Sequence, residues 1–527
     1  MKSSALVLLV LAWLAPPYPA QEHQVEPQSF QGEVQAIISR PEFRRVGFGI
    51  EVYAIDRGQV LYQLNSDKFF TPASTTKLLT EGTALHYLGP DYRFHTSVYR
   101  TGPVENGVLK GDLILVASGD PNLSDRMQPD GTLAFANIDH SYGGHDSKLV
   151  PGDPNVVMKE LARQIYRSGI HSIQGSVVVD ASLFPEGVRE LGTGVVISPI
   201  SVNDNVIDAT ITAGSTAGQT AQVVYSLQVP YIRFVNKVTT AGPDMLFSRI
   251  RASTATMPGG SQVVTLTGSI VPKESPYIFP YAVRQPSRFA AALLAEALEA
   301  AGVSGAKAAS SSHATRPVQF YTDEYRVAEH VSAPLSQEIK VTLKVSQNLH
   351  ASMVPYILGV LVGKATTNIE ASGFSLERAF LAGGGLDTSG ASQGDGAGGA
   401  ISAYFTPDFV ARYLAFMAKQ KNFSVFRAAL PVLGRDGTLY DVQTNSPAAG
   451  QVFAKTGTFG GMDKLNGRMM LVGKGLAGYT TTTSGEPVSF ALYLNHLELR
   501  SASVKPEDVA GQTLGEIAAA IHDLPIQ

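Results

Sequence analysis

Three short motifs occur in one chain order: Ser74-Thr75-Thr76-Lys77, then Ser346-Gln347-Asn348, then Lys455-Thr456-Gly457-Thr458. More than 250 residues separate the first two. A fold that unites them must bring both ends of a long chain to one cleft and carry a large insertion between them. With 527 residues the chain exceeds what one core usually serves, so two or more domains are expected.

Each motif offers distinct chemistry. Three residues apart on a helix, Ser74 and Lys77 share a face. A serine hydroxyl becomes a useful nucleophile only when a neighbouring base takes its proton. A lysine serves as that base when burial or nearby positive charge lowers its pKa. Ser346, near the middle of a helical stretch, is suited to relaying a proton to a leaving amine, and Asn348 to holding Lys77 and a substrate carbonyl through its amide. Lys455-Thr456-Gly457-Thr458 reads as strand. Alternation puts Lys455 and Gly457 on one side, Thr456 and Thr458 on the other. Gly457 lets a substrate approach the backbone, Lys455 supplies positive potential, and the two threonine hydroxyls suit a carboxylate. Singly, each motif also fits a capped helix start, a polar helix break or a charged edge strand. Together they point to serine acyl transfer on peptide or β-lactam carbonyls.

Composition excludes other classes. Hydrophobic residues make up 44% and charged residues 16%, a globular balance. The net charge of −4 gives no basis for nucleic-acid binding. There is no cysteine, hence no disulfide, thiol nucleophile or lipid-bearing cysteine. Lys2, the apolar run 5–14 and the Pro16 to Ala20 segment read as a secretory signal over 1–20, shorter than a spanning helix needs. The expected place is the periplasm or cell envelope, with the protein soluble or loosely associated with membrane or cell wall.

Local patterns give a hairpin (48–54 and 60–64 around Asp56-Arg57-Gly58), a helix 74–88 stopped by Gly89-Pro90, and a strand–helix–strand unit from 111–118, 156–168 and 175–180. A β-rich stretch (207–270), a helix (286–301) and a polar surface loop (307–315) follow. Beyond these lie a largely helical 334–362, a glycine-dense flexible loop 383–399 and a helix 406–419. Strands 453–458, 467–472 and 488–494 and a helix 511–521 complete the chain. Asp139, His140, His145 and Asp146 cluster without zinc-ligand spacing and read as a solvated loop; no metal is expected.

The chain resembles the low-molecular-mass class C penicillin-binding proteins, the D-alanyl-D-alanine carboxypeptidase/endopeptidases of the penicillin-binding protein 4 type. The likeness runs from about residue 40 to the C-terminus. It includes Gly111-Asp112-Leu113, Ser118-Gly119-Asp120-Pro121, Gly169-Ile170 with Gly175, Asp395-Gly396 and Asp436-Gly437-Thr438-Leu439. The sequence departs from the family at Ala397-Gly398-Gly399 and at Ala351-Ser352. The resemblance implies a mixed α/β, β-lactamase-like transpeptidase domain, with helices on an antiparallel sheet and an inserted lobe of one or two smaller domains. The expected division is 21–96 and 276–527 for the catalytic part and 97–275 for the lobe, itself split at about 122–195 and 196–275. It also implies that Ser74 attacks the carbonyl between two D-alanines of a peptidoglycan stem peptide. Lys77 acts as base, Ser346 relays the proton, and the N–H groups of Ser74 and Thr458 form the oxyanion hole. β-Lactams are then covalent inhibitors, and no cofactor is implied. A β-lactamase or esterase on the same scaffold, or a silent wall-binding protein, would share much of this pattern.

Overall fold

The computed structural model describes residues 29–309, 318–499 and 504–525. The expected signal segment lies outside them, as does most of the expected loop 307–315.

Alternating side chains drive the first hairpin. Gly47–Ala54 and Gln59–Leu64 pair antiparallel across a turn in which Gly58 takes φ +67°, a conformation glycine adopts freely. This hairpin is zipped onto Pro487–Leu497, with Gly47 opposite Asn495 and Ala54 opposite Val488. Arg468–Thr481 and Phe453–Asp463 extend the sheet to five antiparallel strands, so the two chain ends build one layer. The period-2 rule explains why Pro487–Leu497 reads as continuously apolar. Phe490, Leu492 and Leu494 enter one core, with Leu514 and Ile517 of helix Pro506–His522. Ala491 and Tyr493 enter the other, with Leu78 of helix Lys77–Leu88 and Leu414 of helix Pro407–Ala418. Both faces of the strand are buried. Phe453–Asp463 is one of the two edge strands of this sheet.

The insertion folds around a second core. Leu113–Val116 and Val177–Asp180 are parallel neighbours joined through helix Val156–Arg167, as the pattern predicts. His95–Arg100 and Arg326–Val331 complete a four-stranded sheet. Helix Pro286–Ala300 packs on Val156–Arg167. Strands Val206–Thr212, Gln222–Tyr225, Ile232–Thr240, Arg249–Thr256 and Gln262–Ile270 realise the β-rich stretch.

Two expectations change. The helical stretch around Ser346 is two helices, Leu335–Val345 and Asn348–Leu361. Ser346 takes φ +64° and ends the first, and the Gln347 side chain caps the second by accepting from the His350 N–H. The glycine-dense 383–399 is not free chain. Gly383 ends helix Ile369–Gly383, Ala391–Ser392 pairs with Tyr404–Phe405, and the turn after Asp395 is tied to that residue's carboxylate. Among the described residues no helix is long and apolar enough to cross a membrane.

Candidate active site

Ser74 lies in the short helical turn Ala73–Thr76, which runs directly into helix Lys77–Leu88. Ala73 before it has φ +46°, an uncommon conformation for a residue with a side chain. This bend leaves Ser74 partly exposed while Lys77 is fully buried. The Lys77 Nζ lies 2.8 Å from Ser74 Oγ, 2.7 Å from Asn348 Oδ1, 3.0 Å from the Ala397 carbonyl and 3.5 Å from Ser346 Oγ. Burial pushes the ammonium down to about 8, against the pull of Asp395, Glu190, Glu81 and Asp139. The first two motifs therefore meet on one amine.

The third motif closes the other side. A Cβ built on Gly457 would fall 2.3 Å from the Pro72 carbonyl and 3.2 Å from the Ser74 nitrogen, so only glycine lets the edge strand pass this close to the Ser74 turn. Lys455, on the same side of the strand, is fully buried; its Nζ donates to the Thr456 carbonyl at 2.8 Å. Burial, with Lys77 and Lys474 nearby, holds it well below the usual lysine range. Thr456 and Thr458 point the other way, as alternation requires. Thr456 donates its hydroxyl to Thr438 at 2.7 Å, and Thr458 accepts from Lys474 at 2.8 Å.

Several neighbours carry no signal in the motifs. Tyr142 donates to the Ser346 carbonyl at 2.8 Å and lies 3.1 Å from Asn348 Oδ1. Lys474 becomes visible only through the register that sets it opposite Thr458. Glu190 is buried and accepts from the backbone N–H groups of Gly192 and Gly194, each at 2.7 Å; a Cβ at Gly192 would collide with Asn348 Nδ2. Asp436-Gly437-Thr438 was legible as a motif without a role. Here Asp436 receives both bonds from buried Lys344 at 2.7 Å, Gly437 donates to Asn137, and Thr438 holds Thr456, so the loop ties the helix before Ser346 to the edge strand. Asp395 accepts from the N–H groups of Ala397 and Gly399, and the Thr80 hydroxyl donates to the Gly396 carbonyl. Because Ala397 meets Lys77 through its backbone, the unusual Ala397-Gly398-Gly399 leaves this contact intact.

Asp139 and His140 are buried, correcting the solvated-loop reading, whereas His145 and Asp146 are at the surface. Asp139, His140 and Asp204 each set one ligand atom within 4.8 Å of the others. Both His140 nitrogens are already taken, by Asp204 at 2.7 Å and Asp208 at 2.8 Å, so the imidazole has none left for an ion.

Residues 30–512 match the model of the D-Ala-D-Ala carboxypeptidase 3 (S13) family. The chain belongs to that family. It is an enzyme of the serine-type carboxypeptidase class. A D-alanyl-D-alanine carboxypeptidase of Actinomadura is 26% identical over 457 residues, 82% of this chain and 77% of the relative. The D-alanyl-D-alanine carboxypeptidase DacB of Haemophilus influenzae is 22% identical over 86% of each chain. The crystal structure of penicillin binding protein 4 from H. influenzae superposes with a TM-score of 0.70 at 20% identity, covering 93% of this chain and 98% of that one. A second structure of that protein, complexed with a β-lactam, gives 0.68. The mixed α/β fold is thus shared with penicillin binding protein 4 along nearly the whole of both chains.

Proposed function

We propose that this S13 enzyme cleaves D-alanyl-D-alanine bonds of peptidoglycan stem peptides, as carboxypeptidase, endopeptidase or both, through an acyl group on Ser74. One observation carries the reading: the buried, pKa-lowered Lys77 amine within 2.8 Å of Ser74 Oγ and 2.7 Å of Asn348 Oδ1. In its neutral form Lys77 takes the hydroxyl proton as Ser74 Oγ attacks the carbonyl carbon. The Ser74 and Thr458 N–H groups stabilise the oxyanion, each such donor being worth about 3 kcal/mol. Ser346 Oγ passes the proton to the departing amine, the amide bond breaks, and water then hydrolyses the ester. Lys455, with Thr456 and Thr458, receives the substrate's terminal carboxylate. Burial, with Lys77 and Lys474 nearby, lowers the Lys455 pKa, and a substrate carboxylate beside it acts in the opposite direction.

β-Lactams, whose carbonyl mimics the scissile one, acylate the same serine. The substrate places the enzyme outside the cytoplasm, in the periplasm or cell envelope, with residues 1–20 as the export signal and a loose attachment to membrane or wall. In this reading 21–96 and 276–527 form the catalytic part and 97–275 the inserted lobe. The pairing of Arg326–Val331 with His95–Arg100 favours carrying the lobe's far boundary past Val331. The test is release of D-alanine from a stem pentapeptide. The chain is expected to release it and Ser74→Ala is not; equal release by both would refute the assignment.

A further inference from the structure

A run of buried charge lies behind Ser346-Gln347-Asn348, and the acyl-transfer chemistry does not use it. His140 Nδ1 is 2.8 Å from Asp208 Oδ1, and its Nε2 is 2.7 Å from Asp204 Oδ2. The other oxygen of Asp204 is 2.8 Å from His350 Nε2. Asn203 Nδ2 donates to the second oxygen of Asp208 at 2.9 Å. His140, His350 and Asp208 are buried, and Asp204 is 13% exposed. A neutral imidazole offers one N–H and one lone pair, and an ionised carboxylate only accepts. Two ionised aspartates on both nitrogens of His140 therefore fit an imidazolium. Burial alone would discharge it, but Asp208 and Asp204 hold its pKa well above the usual histidine range. Despite its own burial, Asp204 is held well below the usual carboxylate range by His350 and His140.

The backbone at this point is committed to the arrangement. Asn203, Asp204 and Asn205 follow one another at φ +50°, +52° and +53°. Three consecutive left-handed residues are costly and persist only where their surroundings dictate them. Here the side chains of Asn203 and Asn205 bond back to the Val206, Val196 and Ile200 carbonyls, and Asp204 is presented to two histidines.

Those histidines come from two separate segments of the chain. His140 belongs to the turn His140–Tyr142 of the inserted segment, whose Tyr142 touches the Ser346 carbonyl and Asn348. His350 lies in the first turn of helix Asn348–Leu361, two residues after the amide that holds Lys77, and its N–H is capped by Gln347. We propose that His140, Asp204 and His350 form a charged clamp through which the inserted segment positions Ser346 and Asn348 against Lys77. They are positioning residues, and the proposal rests on the Ser74 acyl-enzyme reading.

The test is a double-mutant cycle on the rate of penicillin acylation, followed by intact mass. Asp204→Asn removes the charge, and asparagine tolerates the left-handed backbone. It is expected to slow acylation about tenfold in the wild-type background, the size of coupling that hydrogen-bonded neighbours show, and less than about twofold when Asn348 is already alanine. His350→Gln, which keeps a donor near Asp204, is expected to retain most of the rate, and His350→Leu to lose it. These two variants decide the matter should Asp204→Asn fail to fold. Equal losses in both backgrounds, or a lowered melting temperature with acylation unchanged, would overturn the clamp while leaving the acyl-enzyme intact. No adduct on the wild-type chain would overturn both.

Discussion

Lys77 is expected to write its titration into the rate of acylation. The amine is fully buried, and its pKa falls from 10.5 to about 8 because the ammonium loses its hydration. Only the neutral amine accepts the Ser74 proton. About one hundredth of it is neutral at pH 6, about a tenth at pH 7 and half near pH 8. Acylation by penicillin should therefore rise about tenfold per pH unit up to pH 7 and level off above pH 8. The same shift acts on stability. Between pH 8 and 10.5 the unfolded chain binds a proton that the folded chain does not. The cost of burying Lys77 is thus fully present below pH 8 and is relieved as pH rises to 10.5. The gap corresponds to roughly 3 kcal/mol. Replacing Lys77 by methionine removes that cost but strips Ser74, Asn348 and Ala397 of a donor. A net gain of about 1–2 kcal/mol at pH 7 should remain, with acylation abolished. Stopped-flow acylation from pH 5.5 to 10 and urea denaturation at pH 7 measure the two effects. A rate already flat at pH 6, or one still rising tenfold per unit at pH 10, would refute the reasoning. A methionine variant less stable than the parent would refute the energetic half.

Three further outcomes follow from the geometry. Lys455→Ala should raise KM for carboxylate-bearing substrates far more than for a neutral ester; equal loss on both would remove its role as anion grip. Gly457→Ala sets a methyl against the Pro72 carbonyl, and should slow acylation at least about tenfold and cost about 1–3 kcal/mol by denaturant titration; a wild-type rate would show that the strand does not need this closeness. Asp436→Ala strands the buried Lys344 ammonium, and a loss of about 3 kcal/mol is expected, less at high pH where Lys344 discharges; an unchanged midpoint would mean that water replaces the carboxylate.

Much of this site was legible because its chemistry is local. Ser74 and Lys77 are one helical turn apart, and Lys455 and Gly457 alternate on one strand, so spacing alone fixes which side chains face together. The helices and strands that carry them also follow from apolar period and from stops such as Gly89. The groups that refine the site come from register and tertiary contact, which a single sequence does not encode at short range. Lys474 faces Thr458 across a strand pair, and Tyr142 and Glu190 arrive from the insertion. The buried His140 and its partner Asp204 stand 64 positions apart and are polar, so their pattern reads as surface. The helix break at Ser346 was hidden for a different reason: its left-handed turn is made by a serine and a side-chain cap, not by glycine or proline.

The central claim is that Ser74 carries the acyl group. Intact mass of the chain incubated with penicillin tests it most directly, with Ser74→Ala alongside. The account predicts a single adduct of one penicilloyl group that persists, is absent from Ser74→Ala and is nearly absent from Lys77→Ala. An adduct of equal yield on Ser74→Ala, or no adduct on the parent chain, would contradict it.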